Sequence, residues 1–307
     1  NTAGNANLNS AAGVSDAAAV SVDVTGLLDV SGSSIALGSG ASVFNAGTMT
    51  FSSAGSVTIS EDSSLDLVGV NTAGSADLDS VAGVSDAGAV SVDVSGLLDI
   101  TGTSIVLGSG TLNAGTLTFN SAGSVSVSED SSLDLVGTNA AGNADLDSVA
   151  GVSDSGAVSV DVTGLLDVSG TSIALGSGAS VFNAGTLTFS SAGSVTINEA
   201  SSLDLVGVNT AGSADLDSTA GVSDSGAVSV DVAGLLDVSG TSIALGSGTS
   251  VFNTGSLTFS SAGSVTINED SSLDLVGVNT ANSADVDSVA GVSDSGAVSV
   301  DVAGLLD

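Results

Sequence analysis

Over residues 185–210 apolar and polar side chains alternate: Leu187-Thr188-Phe189, Val195-Thr196-Ile197 and Leu203-Asp204-Leu205. A period of two marks a β-strand buried on one face. The same grammar returns over residues 211–233, in Ala214-Asp215-Leu216, Val222-Ser223 and the run from Val228 to Val232. It returns again over residues 234–254, in Leu236-Asp237-Val238, Ile243-Ala244-Leu245 and the stretch around Phe252. Gly, Ser and Asn separate the runs and supply the turns. No apolar stripe recurs at three and four residues, and Val, Ser, Thr and Gly are abundant, so a helical reading fails.

A longer period organises these runs. The phrase Ser-Ser-Leu-Asp-Leu-Val-Gly begins at Ser63, Ser131, Ser201 and Ser271, at a nearly constant interval. Such a period marks an array of stacked units. Three segments of three strands fill one unit, so the expected fold class is all-β: a right-handed parallel β-helix (β-solenoid), with three strands per coil and three coils per 70-residue repeat. Right-handed crossovers are the rule between parallel strands. The array is expected to run through residues 1–307 as one continuous solenoid. No polar cap is written at either end, which implies a segment of a longer fibre, continued by more repeats or another subunit.

Two irregularities fit this scheme. The second repeat is two residues shorter around Gly108–Thr111, and an even deletion leaves later side chains facing the same way. At the corner held by Gly74, Gly142 and Gly212 the last repeat has Asn282, the other residue that tolerates a left-handed backbone, so positive φ is expected there. Phe51, Phe119, Phe189 and Phe259 recur in one strand, and Phe44, Phe182 and Phe252 in another. All seven are expected to stack in the core.

The chain has 34 acidic side chains and no Lys, Arg or His, for a formal charge of −34. A nucleic-acid partner is excluded, since binding to phosphate backbones rests on Lys and Arg; the anionic membrane surface is excluded by the same argument. No apolar run approaches a membrane span. Without Cys or His there are no disulfides and no zinc, haem or iron–sulfur ligands, which leaves oxygen-held hard cations. The start, Asn1-Thr2-Ala3-Gly4, has no signal-peptide pattern, so a leader has been removed or the chain is internal to a longer one. The thrift in side-chain nitrogen and sulfur points to bulk export and an extracellular or cell-surface location.

The phrase TLTFNSAGSVSVSED at residues 116–130, with its copies, resembles the repeats of very large secreted bacterial surface proteins of the filamentous-haemagglutinin and adhesin type. The resemblance covers the whole chain. It implies a β-helical fold, export to the cell surface, and a role in adhesion, fibres or biofilm matrix.

Candidate chemistry lies on the outward side. Asp215 and Asp237 are expected in one column of neighbouring coils, as are Asp285 and Asp307. Asp204 with Asp231, and Asp274 with Asp301, are expected to form a second column. Strands about 4.8 Å apart would hold each pair of carboxylates close, and like charges opposed across a ladder are destabilising. About thirteen coils would extend roughly 60 Å and carry about one charge per 2 Å, close to the value of about one per 1.7 Å for duplex DNA. Such a surface would gather counterions, and Ca2+ bridging the aspartate columns is the cofactor reading. The corner acids Glu61, Asp62, Glu129, Asp130, Glu199, Glu269 and Asp270 are expected to serve contacts between rods. EF-hand, RTX, dinucleotide-fold and P-loop motifs are all missing. Every carboxylate pair is copied through the array and none stands alone in a cleft, which argues against an enzyme. The sequence therefore favours an extracellular structural filament or stalk whose partner is itself. The alternative is an adhesin module that holds glycans or a basic surface through repeated weak contacts.

Overall fold

The computed structural model describes residues 1–16 and 19–307. The described residues form β-strands and turns, with no helix. They divide into two compact units, Asn1–Ala150 and Gly151–Asp307. Each unit is a β-solenoid of stacked parallel strands.

In the first unit one inward column runs Val57, Ala76, Leu98, Leu117, Leu135. A second runs Leu65, Val84, Ile105, Val125, Ala144. In the second unit the columns are Val152, Ile173, Val195, Ala214, Leu236, Leu257, Leu275 and Leu203, Val222, Ile243, Val265, Ala284. Three strands make a turn: Ser194–Glu199, Leu203–Leu205 and Val208–Ala211 lie between Val195 and its neighbour Ala214. All seven Phe side chains are fully enclosed, as the alternation requires. Enclosing each contributes about 1.5–3 kcal/mol.

The turns are shorter on average than the segments 185–210, 211–233 and 234–254 read from the sequence. The shortest steps in these columns run from Leu117 to Leu135 and from Leu257 to Leu275, and the longest from Ala76 to Leu98, Ile173 to Val195, Ala214 to Leu236 and Ile243 to Val265. Three steps from Val152 reach Ala214, short of Val222, its counterpart one repeat on. Likewise, three steps from Leu65 reach Val125, short of Leu133. Each repeat thus overruns three turns, and equivalent residues of successive repeats enter different columns. The cause lies in the long strands. Val43–Ser53 pairs with Ser21–Gly32 across a register shift between Val24 and Leu27, so one strand serves two sides of the coil through a bulge.

Parity survives the two-residue deletion. Leu112 and Ala114 are buried in the places that Phe44 and Ala46 hold one repeat earlier. The corner at Gly74, Gly142 and Gly212 departs from expectation, because none of the three has positive φ, nor does Asn282. Left-handed backbone occurs elsewhere, as at Gly69, Gly137, Gly207 and Gly277, with φ of 63 to 67°.

Candidate functional site: the glutamate corners

The strands Ser56–Glu61, Ser124–Glu129, Ser194–Glu199 and Ser264–Glu269 end in glutamate. In the first, Val57 and Ile59 point inward, and Glu61 is in phase with them. The strand therefore carries its last side chain inside. Glu61, Glu129, Glu199 and Glu269 are each at most 2% exposed. This overturns the expectation that they face outward between rods.

The corner explains why an acid sits there. The segment Phe44–Ala46 meets a turn on its next-coil side in place of a strand, and its amides need acceptors. Glu61 Oε1 accepts from the Ala46 amide at 3.0 Å and from the Ser63 hydroxyl at 2.8 Å. Asp62 Oδ2 accepts from the Phe44 amide at 2.8 Å, while the Asp62 amide donates to the Phe44 carbonyl at 2.9 Å. Asp130 and Asp270 accept in the same way from the amides of Leu112 and Phe252, at 3.0 and 2.9 Å. These acids, also expected between rods, complete a strand edge with their side chains. Ala114, Ala184 and Thr254 donate their amides to Glu129, Glu199 and Glu269. Ser131, Ser201 and Ser271 donate their hydroxyls to Oε1 of the same three glutamates, at 2.7 to 2.8 Å.

Burial pushes the Glu61 carboxyl up to about 7, with Asp62 adding to the rise and the hydrogen bonds from Ser63 and Ala46 opposing it. Glu129, Glu199 and Glu269 are raised for the same first reason. At Glu199 the adjacent acid is replaced by Ala200, and burial alone still raises it.

Beside three of these corners the surface dips. The depression at Glu61, about 360 Å³, is lined by Gly38, Ser60, Asp62 and Asp79. Those at Glu199 and Glu269 measure about 320 and 440 Å³ and include Asp217 and Asp287 respectively. The Gly-Ser loops at their rims are held by a second set of inward acids. Asp86, Asp154 and Asp224 accept from the amides of Gly108, Gly176 and Gly246 at 2.8 to 3.0 Å. Asp16 does the same for Gly38 at 3.0 Å. Burial pulls Asp16 upward, but hydrogen bonds from Ser42, Ser39 and Gly38 outweigh it and hold the carboxyl below its ordinary value. A third set, Asn71, Asn139, Asn209 and Asn279, is fully enclosed and accepts from the amides of Phe51, Phe119, Phe189 and Phe259. Reading only the apolar letters misses all three sets; their shared signal is polar side chains in phase with apolar neighbours.

The outward aspartates divide. Asp215 lies beside Asp237 in the register, and Asp77 beside Asp99 one repeat pair earlier. Asp285 and Asp307 follow Ala284 and Leu306, which bridge in parallel. The second expected column does not form. Asp204 is beside Ser223, while Asp231 lies between Thr210 and Asn253. Asp274 is beside Ser293 and Asp301 beside Thr280. The expected partners are separated along the chain by more than one turn, so the register carries them past each other. Asp204 instead accepts from the hydroxyls of Ser223 and Ser225 at 3.2 and 2.7 Å. In the stack that forms, burial raises the Asp215 carboxyl, and the charges of Asp217 and Asp237 raise it further. Asp237 is raised by burial and then by Asp217. Among the described residues no three acids converge in a way that could hold a metal ion, and no helix is long and apolar enough to cross a membrane.

Comparison with protein-family profiles, with curated proteins and with solved structures finds no match.

Proposed function

We propose that this chain is a structural element, the shaft of an extracellular fibre or surface stalk, whose partners are copies of the same repeat architecture. The observation that carries this reading is the recurrence of one corner, with the same glutamate, serine and strand amide, at 61, 129, 199 and 269. A shaft asks the same task of every turn, whereas catalysis needs a position that differs from its copies. The acidic exterior, unanswered by any basic side chain, suits a surface that repels its neighbours until cations screen it. The paired aspartates Asp215 and Asp237 are where such cations would gather.

The open, polar depressions beside the corners favour a second reading, an adhesin that holds glycans or basic surfaces through many weak sites. The two readings separate in a binding survey of the purified chain against a glycan array and immobilised basic proteins, with electron microscopy of the same sample. The structural reading expects filaments or bundles and no saturable binding. Saturable glycan binding that weakens steeply when the chain is halved would replace it with the adhesin.

A further inference from the structure

The chain contains four glutamates, and all four are the enclosed corner residues; the other 30 of its 34 acids are aspartates. The exterior is thus built without glutamate. At the corner, glutamate's extra methylene carries the carboxyl from the strand end to an amide fifteen residues back in the chain.

At two of the four corners the hydrogen bonding is one-sided. Glu61 Oε1 takes both the Ala46 amide and the Ser63 hydroxyl, as a carbonyl oxygen does, and Oε2 is buried without a partner. Glu269 repeats this asymmetry: Oε1 accepts from Thr254 and Ser271, and Oε2 has no partner. Glu129 and Glu199 differ, because their Oε2 atoms accept from the amides of Ala114 and Ala184 while Oε1 accepts from Ser131 and Ser201. An ionised carboxylate spreads its charge over both oxygens, and burying one of them unpaired is costly, as for other buried charges without a partner. A protonated acid has one acceptor oxygen and one hydroxyl, which is the form this geometry suits.

The charged groups around each corner are all acidic. Glu61 has Asp62 beside it, Asp79 on the turn stacked next, and Asp16 behind the Gly38 loop. Glu129 has Asp130 beside it, Asp147 on the adjoining strand and Asp86 behind Gly108. Glu199 has Asp217 and, behind Gly176, Asp154. Glu269 has Asp270, Asp287 and, behind Gly246, Asp224. No Lys, Arg or His exists to stabilise an ionised form.

We propose that Glu61 and Glu269 are carried as neutral acids in the folded chain and form a built-in proton switch, closing their corners when protonated and loosening the capped strand ends when the proton leaves as pH rises. The direction of each carboxyl's displacement agrees. The folded chain binds more protons than the unfolded chain between the ordinary glutamate value of 4.5 and about 7. Stability is then fully present below that window and falls as pH rises through it. The set point is local to each corner, so opening is confined to strand ends and the core columns stay closed.

The test uses the full chain with its glutamates labelled with carbon-13 at the carboxyl. With four glutamates and no glutamine, every signal belongs to a corner. The signals of Glu61 and Glu269, assigned by their loss in the single Gln variants, should titrate displaced upward from the ordinary value. After correction for intrinsic base catalysis, hydrogen exchange at residues 43–46 should rise at least about tenfold between pH 6 and 8.5, and exchange at residues 252–254 should rise as Glu269 loses its proton. Replacing both by the neutral isostere (Glu61→Gln and Glu269→Gln) should flatten these rises while leaving exchange slow. If the double variant does not fold, Glu269→Gln alone should flatten the rise at residues 252–254 and leave residues 43–46 as they were. Glu61 and Glu269 titrating below pH 5, or strand-end exchange with the same pH dependence in wild type and Gln variants, would overturn the proposal.

Discussion

Asn209 is fully enclosed; its Oδ1 accepts from the Phe189 amide at 3.1 Å and its Nδ2 donates to the Val206 carbonyl at 2.9 Å. The side chain stands in for a missing rung of the ladder, so Asn209→Ala leaves a buried amide without an acceptor. It should lower stability by about 1–3 kcal/mol, read as a shift in the urea midpoint, whereas Asn253→Ala beside the outward Asp231 should change it little. Asp237 shows the opposite economy. It opposes Asp215 across a parallel ladder, and like charges so placed are destabilising by about 0.2–1 kcal/mol. Asp237→Asn should therefore raise the thermal midpoint at pH 7. Both carboxyls are raised by burial and by neighbouring acids, so protonation relieves the same repulsion in the wild type. The gain should shrink as pH falls toward 4, and a gain independent of pH would show that repulsion is not its source.

The long strands govern how elements are placed. At the bulge, Val94 pairs with Ala114 and Leu97 with Thr116, so Ser95 and Gly96 face the single residue Gly115. A Cβ at Gly115 would come within 2.5 Å of the Ser95 carbonyl oxygen and 2.9 Å of that of Gly96. Gly115→Ala should cost about 1–3 kcal/mol as an overpacked site, while Gly156→Ala, with open space around it and positive φ, should cost about 1 kcal/mol from backbone strain alone. Chemical denaturation of the two variants compares them directly. Strands, alternation and the enclosure of the seven Phe side chains were legible in the sequence, because period two is a local signal; that each Phe stacks on a Val or Ile of the preceding coil, and not on another Phe, was not. The length of a turn was not, because the coil passes from side to side through a bulge inside a strand such as Ser91–Thr101, and the glycine there, Gly96, reads in sequence as a break between strands. Glu61, Asn71 and Asp86 were legible in principle. Each keeps step with an inward apolar neighbour, but residue type spoke for solvent and outweighed position.

For the molecule as a whole, the sequence repeats a polar interior device and leaves an exterior whose charged side chains are all acidic. Because the repeat overruns three turns, copies of a corner do not stack on one another, and the same surface chemistry is presented by different columns as the chain advances. A repeat array of this kind gains stability turn by turn, from each turn's own packing and its interface with the next. The most direct measurement of the structural claim is single-molecule force spectroscopy on the chain held between marker domains. A shaft of equivalent turns should give successive yielding events of similar force, each releasing the chain of about one turn or a small multiple of it. Extended chain spans at most about 3.3–3.6 Å per residue, so the expected step length is set by turns such as Leu117 to Leu135 and Ala76 to Leu98. Extension without resisting events, or one segment that yields at a force well apart from the rest, would contradict a shaft in which every turn does the same work.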